Sequence, residues 1–271
     1  MKRQQPGLNG QPPWFDRIGP TTDPSQLSIS GTAWRWWRDT SARAGGFRAT
    51  RDLILLLWEF ARDSTPDRRR ARFGDAEYDW EHRVNTTSGA VAWRERLLGM
   101  FHSPYQPTEP ELFREMLAAV AGHPGFEFPD FTFIDLGSGK GRTLLMAADY
   151  PFRRIVGVEL LPALHAIAAA NVKEYKSESQ KCSAIDVLCG DAAEYEFPLE
   201  PILLYLFNPL PEVGLRCMVA NLEQSLQSRP RRVVVLYHNP QLEHVVAEGS
   251  LLGKAGGTHQ YSIFVTNSMS S

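Results

Sequence analysis

A carboxylate followed at once by three alternating glycines, Asp135-Leu136-Gly137-Ser138-Gly139-Lys140-Gly141-Arg142, is the segment of this 271-residue chain best suited to chemistry. Apolar Phe133-Ile134 precedes it and Thr143-Leu144-Leu145-Met146-Ala147-Ala148 follows, so a strand enters the turn and a helix leaves it. Glycine is needed where backbone turns sharply and closes on a ligand, because a Cβ would fill the ligand's space. The spacing departs from the dinucleotide pattern G-x-G-x-x-G, since Arg142 stands where its third glycine would fall, and from the phosphate-cradling G-x-x-x-x-G-K-[ST]. A carboxylate beside the turn repels a pyrophosphate and suits a ligand that carries an ammonium group.

Two more acids close later β-rich runs, Glu159 in Gly157-Val158-Glu159-Leu160 and Asp191 in Gly190-Asp191-Ala192. A carboxylate at a strand end can accept two hydroxyl hydrogens at once. A fourth run ends Phe207-Asn208-Pro209-Leu210-Pro211, and open α/β sheets place their reactive residues at such C-terminal ends. An Asn there can hold an amine by its hydrogens and leave the nitrogen lone pair free for in-line displacement. The plainer readings are a helix cap for Asp191 and a turn residue for Asn208. His238-Asn239-Pro240 follows the fifth run, where His238 is either a turn position or a general base. The other six histidines are scattered, and Cys182, Cys189 and Cys217 lack C-x-x-C spacing, so neither a metal site nor a Ser/His/Asp arrangement is expected.

Taken in order, these segments resemble the class I S-adenosylmethionine (SAM) methyltransferases over residues 131–266. The resemblance implies a Rossmann-like α/β sheet, mostly parallel with its last strand antiparallel. It implies the amino-acid part of SAM against Asp135, Gly137, Gly139 and Gly141, the ribose hydroxyls on Glu159, and the adenine beside Asp191 and Ala192. Asn208 would orient the methyl acceptor. Its surroundings are similar to the Asn/Asp-Pro-Pro-aromatic motif of amine methyltransferases, but Leu210 replaces the second proline and Pro211 the aromatic, which makes a nucleic-acid base a poor acceptor. Tyr105-Gln106-Pro107-Thr108, with Phe113 after it, further resembles the non-SET histone-lysine methyltransferases and their bacterial relatives. In those, a Tyr and a Thr three residues on close over SAM; where that family has Phe after its Asn, this chain has Pro209. The expected activity is SAM-dependent methyl transfer to an amine of a protein, lysine-like, or of a small molecule. Small-molecule O-methylation and non-catalytic SAM sensing are the alternatives.

Elements must position these residues. β-rich runs at 131–136, 154–160, 185–189, 202–207, 233–237 and 261–266 alternate with helical patterns near 141–149, 162–175, 212–227 and 241–248, the signature of βαβ units. Thr108-Glu109-Pro110-Glu111 has the form of a capping box ahead of a helix carrying Leu112, Phe113, Met116, Leu117 and Val120. Upstream, helical patterns at 32–43 and 50–62 precede an arginine-rich linker at 68–72 and a turn-prone stretch at 85–89. The helices, the second with the apolar stripe Leu53, Ile54, Leu57, Trp58, either pack on the main domain, the commoner fate, or make a partner surface. All seven tryptophans fall in the first 93 residues. Residues 1–75 hold thirteen Lys and Arg against eight Asp and Glu, and the remainder sixteen against twenty-three.

These contrasts divide the chain into an irregular arm (1–33), a helical Trp-rich extension (34–102) and a SAM-binding domain (103–271). At 43% hydrophobic and 22% charged, the composition excludes disorder, collagen and membrane bundles. A net charge of −2 lacks the basic footprint of a dedicated nucleic-acid binder. No segment approaches a membrane span, the N-terminus does not read as a secretory signal, and a reduced, cytoplasmic setting is expected.

Overall fold

The computed structural model describes residues 28–63, 76–87 and 106–267. Seven strands form one sheet: β1 (Thr132–Leu136), β2 (Arg154–Glu159), β3 (Ile185–Cys189), β4 (Ile202–Leu206), β5 (Val233–His238), β6 (Leu252–Gly257) and β7 (Tyr261–Thr266). Their order is β3-β2-β1-β4-β5-β7-β6, with β7 antiparallel to both neighbours and the first five strands parallel. This is the Rossmann-like, mostly parallel sheet expected from the sequence. The chain reverses direction across the sheet between β1 and β4, which opens a crevice at their C-terminal ends. β6 went unpredicted, because Leu252-Gly253-Lys254-Ala255-Gly256-Gly257 carries three glycines and almost no β-branched or aromatic signal; pairing with β7 imposes its strand conformation.

Helices α1 (Ile29–Ala44), α2 (Gly46–Asp63) and α3 (Ala76–His82) precede the sheet. Helices α4 (Pro110–Ala121), α5 (Arg142–Ala147), α6 (Pro162–Glu174), α7 (Glu212–Ser228) and α8 (Glu243–Ala247) accompany it. Alternation along the strands divides the core in two. Phe133, Leu203, Tyr205, Val234 and Leu236 pack with Phe113, Met116 and Leu117 of α4 and Leu144 and Leu145 of α5. Ile134, Leu204, Leu206, Val235 and Tyr237 pack on the other face with Leu215, Met218, Leu222 and Leu226 of α7.

Two local expectations are corrected. Thr108 does not cap α4: Glu109 holds the N-cap position with no side-chain bond, and Pro110 opens the helix with its preset φ. The α2 stripe is mostly exposed in the described structure, with Ile54, Leu57 and Trp58 at 61%, 43% and 57% and Leu53 half-buried. The arginines at 68–70 and 72 lie outside the described residues.

Candidate functional site

Gly137, Gly139 and Gly141 all have positive φ, at 85°, 56° and 82°. A Cβ on Gly137 would stand 2.8 Å from the Cβ of Pro209, so glycine there lets the ends of β1 and β4 touch. Asp135 is buried and accepts a hydrogen bond from the Thr143 hydroxyl in the first turn of α5. Glu159, also buried, closes β2; its Oε2 accepts from the Gly139 amide at 2.8 Å and its Oε1 from the Leu161 amide at 2.8 Å. The acid of β2 is thereby tied to the middle of the glycine turn.

The electrostatics of these two acids are unusual. Burial pushes the Asp135 carboxyl up to about 7 against the opposing hydrogen bond from Thr143, and the Glu159 charge pushes the same way. Burial also raises Glu159, opposed by the amides of Leu161, Gly139 and Leu160. No cationic side chain among the described residues holds Asp135 ionised.

The turn's own cations face away. Lys140 Nζ donates to Asn85 Oδ1 at 2.9 Å and to the Thr87 carbonyl at 2.7 Å. Arg142 Nε donates to Thr86 Oγ1 at 2.7 Å, its Nη2 lies 3.4 Å from Asp79, and its guanidinium sits 4.9 Å from the centre of the Tyr78 ring. Asp79 accepts from the Thr86 and Thr87 amides at 2.7 and 2.8 Å. Asn171 of α6 joins both sides, donating to the carbonyls of Asn85 and Lys140 and accepting from the Asn85 amide. Residues 78–87 therefore form a clasp on the back of the turn. Sequence reasoning took 85–89 for a plain turn. The available signal was the pair Lys140 and Arg142 set in an apolar strand-turn-helix, where buried cations require partners.

On the front, Thr108 Oγ1 lies 2.7 Å from the Tyr205 hydroxyl, which lies 2.8 Å from His238 Nδ1. This explains the missing cap: the Thr108 side chain is used across the fold instead. Tyr205 is the register partner of Asp135 in the β1/β4 ladder, so the chain of hydroxyls begins beside the acid. Burial lowers His238 to about 4 and raises Tyr205 well above the usual phenol range. The Phe207 ring centre is 3.9 Å from that of His238.

Asn208 Oδ1 accepts from the Tyr237 hydroxyl at 2.9 Å and the Gln241 amide at 3.4 Å, while its Nδ2 donates to the Asn239 carbonyl at 2.8 Å. Asn208 and Asn239 both adopt left-handed backbone, with φ 45° and 47°, at the ends of adjacent strands. Such conformations cost about 1–3 kcal/mol each and persist where the surroundings fix them. Asp191 is exposed and caps the short turn Ala192–Glu194 through the Ala193 amide at 2.8 Å; Ala192 is buried. The Gly190 amide donates to the Glu159 carbonyl, which brings the end of β3 alongside. Tyr105 lies outside the described residues.

The structure thus brings together Asp135, Glu159, the three glycines, Thr108 and, at the β4 and β5 ends, Asn208. Among the described residues, no group of His, Cys, Asp or Glu is arranged to hold a metal, and no helix is long and apolar enough to cross a membrane.

No protein-family model matches the chain, and no curated protein matches it. It is similar to an RNA methyltransferase from Salinibacter ruber, solved with S-adenosyl-L-homocysteine, at 21% identity over 59% of this chain and 92% of that one, TM-score 0.39. A Pseudomonas syringae protein described as a putative methyltransferase is similar at 10% identity over 58% and 99% of the two chains, TM-score 0.44. TrmN from Thermus thermophilus is similar at 20% identity, TM-score 0.39, over 58% of this chain and about half, 48%, of that one.

Proposed function

We propose that this chain is a SAM-dependent methyltransferase whose acceptor is an amine. The observation that carries the reading is the pair of buried carboxyls, Asp135 and Glu159, joined through the glycine turn at the ends of β1 and β2 while Lys140 and Arg142 are engaged behind it. Two desolvated acids without a protein cation between them fit a ligand bringing its own positive charge and hydroxyl donors.

SAM fits that demand: its ammonium would sit by Asp135, its ribose hydroxyls on the remaining lone pairs of Glu159, and its amino-acid backbone over Gly137, Gly139 and Gly141. Asp191 and Ala192, beside Glu159, would border the adenine, and Tyr105 and Thr108 would cover the cofactor. When bound, SAM supplies an electrophilic methyl group on a sulfonium. Asn208 orients the acceptor. Its Oδ1 is held in direction by the Tyr237 hydroxyl at 2.9 Å, and an acceptor N–H would take the place of its long 3.4 Å contact with the Gln241 amide. The segment before residue 76 is proposed to select the acceptor, since its exposed aromatics carry no part of the site.

Titration calorimetry tests the reading: Asp135→Ala and Glu159→Ala are expected to abolish SAM binding in a protein with unchanged circular dichroism. Wild-type affinity in both variants would refute it. Labelled SAM incubated with host lysate then separates the acceptors, with label expected in protein or small amines. Label confined to RNA or DNA would overturn the amine assignment. Full SAM affinity with no label anywhere would favour a sensor.

A further inference from the structure

Asn208 Oδ1 can offer an amine one place at most, that of its long 3.4 Å contact with the Gln241 amide, yet a primary amine has two hydrogens to restrain before its lone pair has a fixed direction. A second acceptor stands at the end of the neighbouring strand. His238 closes β5, its Nδ1 is bound to the Tyr205 hydroxyl, and its Nε2 makes no hydrogen bond among the described residues. The imidazole is clamped from both sides. Tyr205 and Thr108 hold one edge, and Phe207 lies against the ring. Tyr205 is the register partner of Asp135, so this clamp begins on the strand pair that flanks the crevice.

We infer that His238 is a catalytic residue of the proposed transfer: its Nε2 accepts a hydrogen bond from the acceptor amine, while Tyr205 and Thr108 are positioning residues that fix its tautomer. The inference rests on the methyltransferase reading. For Nε2 to accept, Nδ1 carries the proton and donates to the Tyr205 oxygen, and the Tyr205 hydroxyl donates to Thr108 Oγ1. Both contacts, at 2.7 and 2.8 Å, are short enough to run in that direction. A lone pair at Nε2 is also the tautomer favoured beside a sulfonium, where an N–H would point its positive end at a cation. Burial holds the ring uncharged at neutral pH, so it adds no repulsion to a cationic cofactor.

In the step itself, the acceptor enters as a free amine with its two hydrogens on Asn208 Oδ1 and His238 Nε2. Its lone pair forms the new N–CH3 bond as the C–S bond breaks, and the electron pair of that bond stays on sulfur. Positive charge passes from sulfur to nitrogen. The methylated ammonium then loses one proton to water. This arrangement selects nitrogen with two hydrogens over a hydroxyl, which has only one hydrogen to offer.

Nitrogen-15 NMR of histidine-labelled protein tests the tautomer directly, with S-adenosyl-L-homocysteine calorimetry on the same sample. The expected result is a His238 with protonated Nδ1 and bare Nε2 from pH 8 to pH 5, with or without the ligand, and a shifted tautomer ratio in Tyr205→Phe. A protonated Nε2, or an imidazolium at pH 7, overturns the inference. Absent ligand binding in the wild type would instead refute the methyltransferase reading, so the two failures are distinguishable. His238→Asn is expected to keep ligand affinity and lose label transfer from SAM into lysate about a hundredfold. Undiminished transfer in that variant also overturns it; if the variant fails to fold, the wild-type NMR result decides.

Discussion

The two described pieces of the tryptophan-rich N-terminal part are held in opposite ways. The α1–α2 hairpin packs mainly on itself. Trp34 stacks on Trp37 at 5.3 Å, and Trp37 Nε1 donates to Thr50 across the hairpin. Ile29 packs against Leu161 and Leu164 of the sheet domain, and Trp34, Phe47 and Trp58 are exposed, Phe47 at 87%. The clasp at 78–87 has one large exposed apolar residue, Trp80, yet it is fastened by two buried cations. Aromatic content therefore says little about which segment is integral. Attachment is set by where buried charge must find a partner, because an unpaired cation in the interior costs more than an exposed tryptophan.

The comparison breaks most visibly at Asp79. Asp79→Ala removes the carboxylate that faces Arg142 and accepts the Thr86 and Thr87 amides, and is expected to cost about 3–5 kcal/mol by urea denaturation. Phe47→Ala on the hairpin, 87% exposed, is expected to change stability by less than about 0.5 kcal/mol. Truncation sharpens the contrast. Removing residues 1–75 should leave the cooperative unfolding of the sheet domain and its SAM affinity intact while changing acceptor range, whereas removing residues 1–87 should lower both stability and affinity. Equal thermal shifts for the two truncations would erase the distinction between hairpin and clasp.

A pH-dependent effect separates the front of the turn from its back. Burial pushes the Asp135 carboxyl from the ordinary 3.8 up to about 7, so the native state holds more protons between these values and loses stability as pH rises through them. Asp135→Asn should therefore raise the unfolding free energy of the cofactor-free protein relative to wild type at pH 8, by on the order of 4 kcal/mol at most, and give no gain below pH 4. Lys140 moves the other way: burial lowers it to about 8, so its charge is carried at a cost that its contacts with Asn85 and Thr87 offset. Lys140→Met is expected to be tolerated better than Asp79→Ala, since it removes the buried charge itself.

How much of this was legible in the sequence follows from the range of the interactions. β1 into the glycine turn into α5 is written in ten consecutive residues, and the α7 stripe from Leu215 to Leu226 announces its buried face by period alone. Features that depend on distant partners were not legible. Thr108 carries the local signature of a cap, but Tyr205, 97 residues away, takes its hydroxyl. Asn85 and Thr86 look like turn residues until Lys140 and Arg142 are placed beside them. β6 has no strand composition and exists because β7 needs an outer neighbour. The α2 stripe has helical period but stays largely exposed among the described residues, so period predicted the helix and not its burial.

The most direct measurement is calorimetric titration of S-adenosyl-L-homocysteine into the cofactor-free full-length protein at pH 8, in parallel with Asp135→Ala and Glu159→Ala. Saturable one-to-one binding by the wild type and none by either variant is the predicted result. No heat with the wild type, or equal affinity in all three proteins, would contradict the placement of a cationic cofactor on the glycine turn.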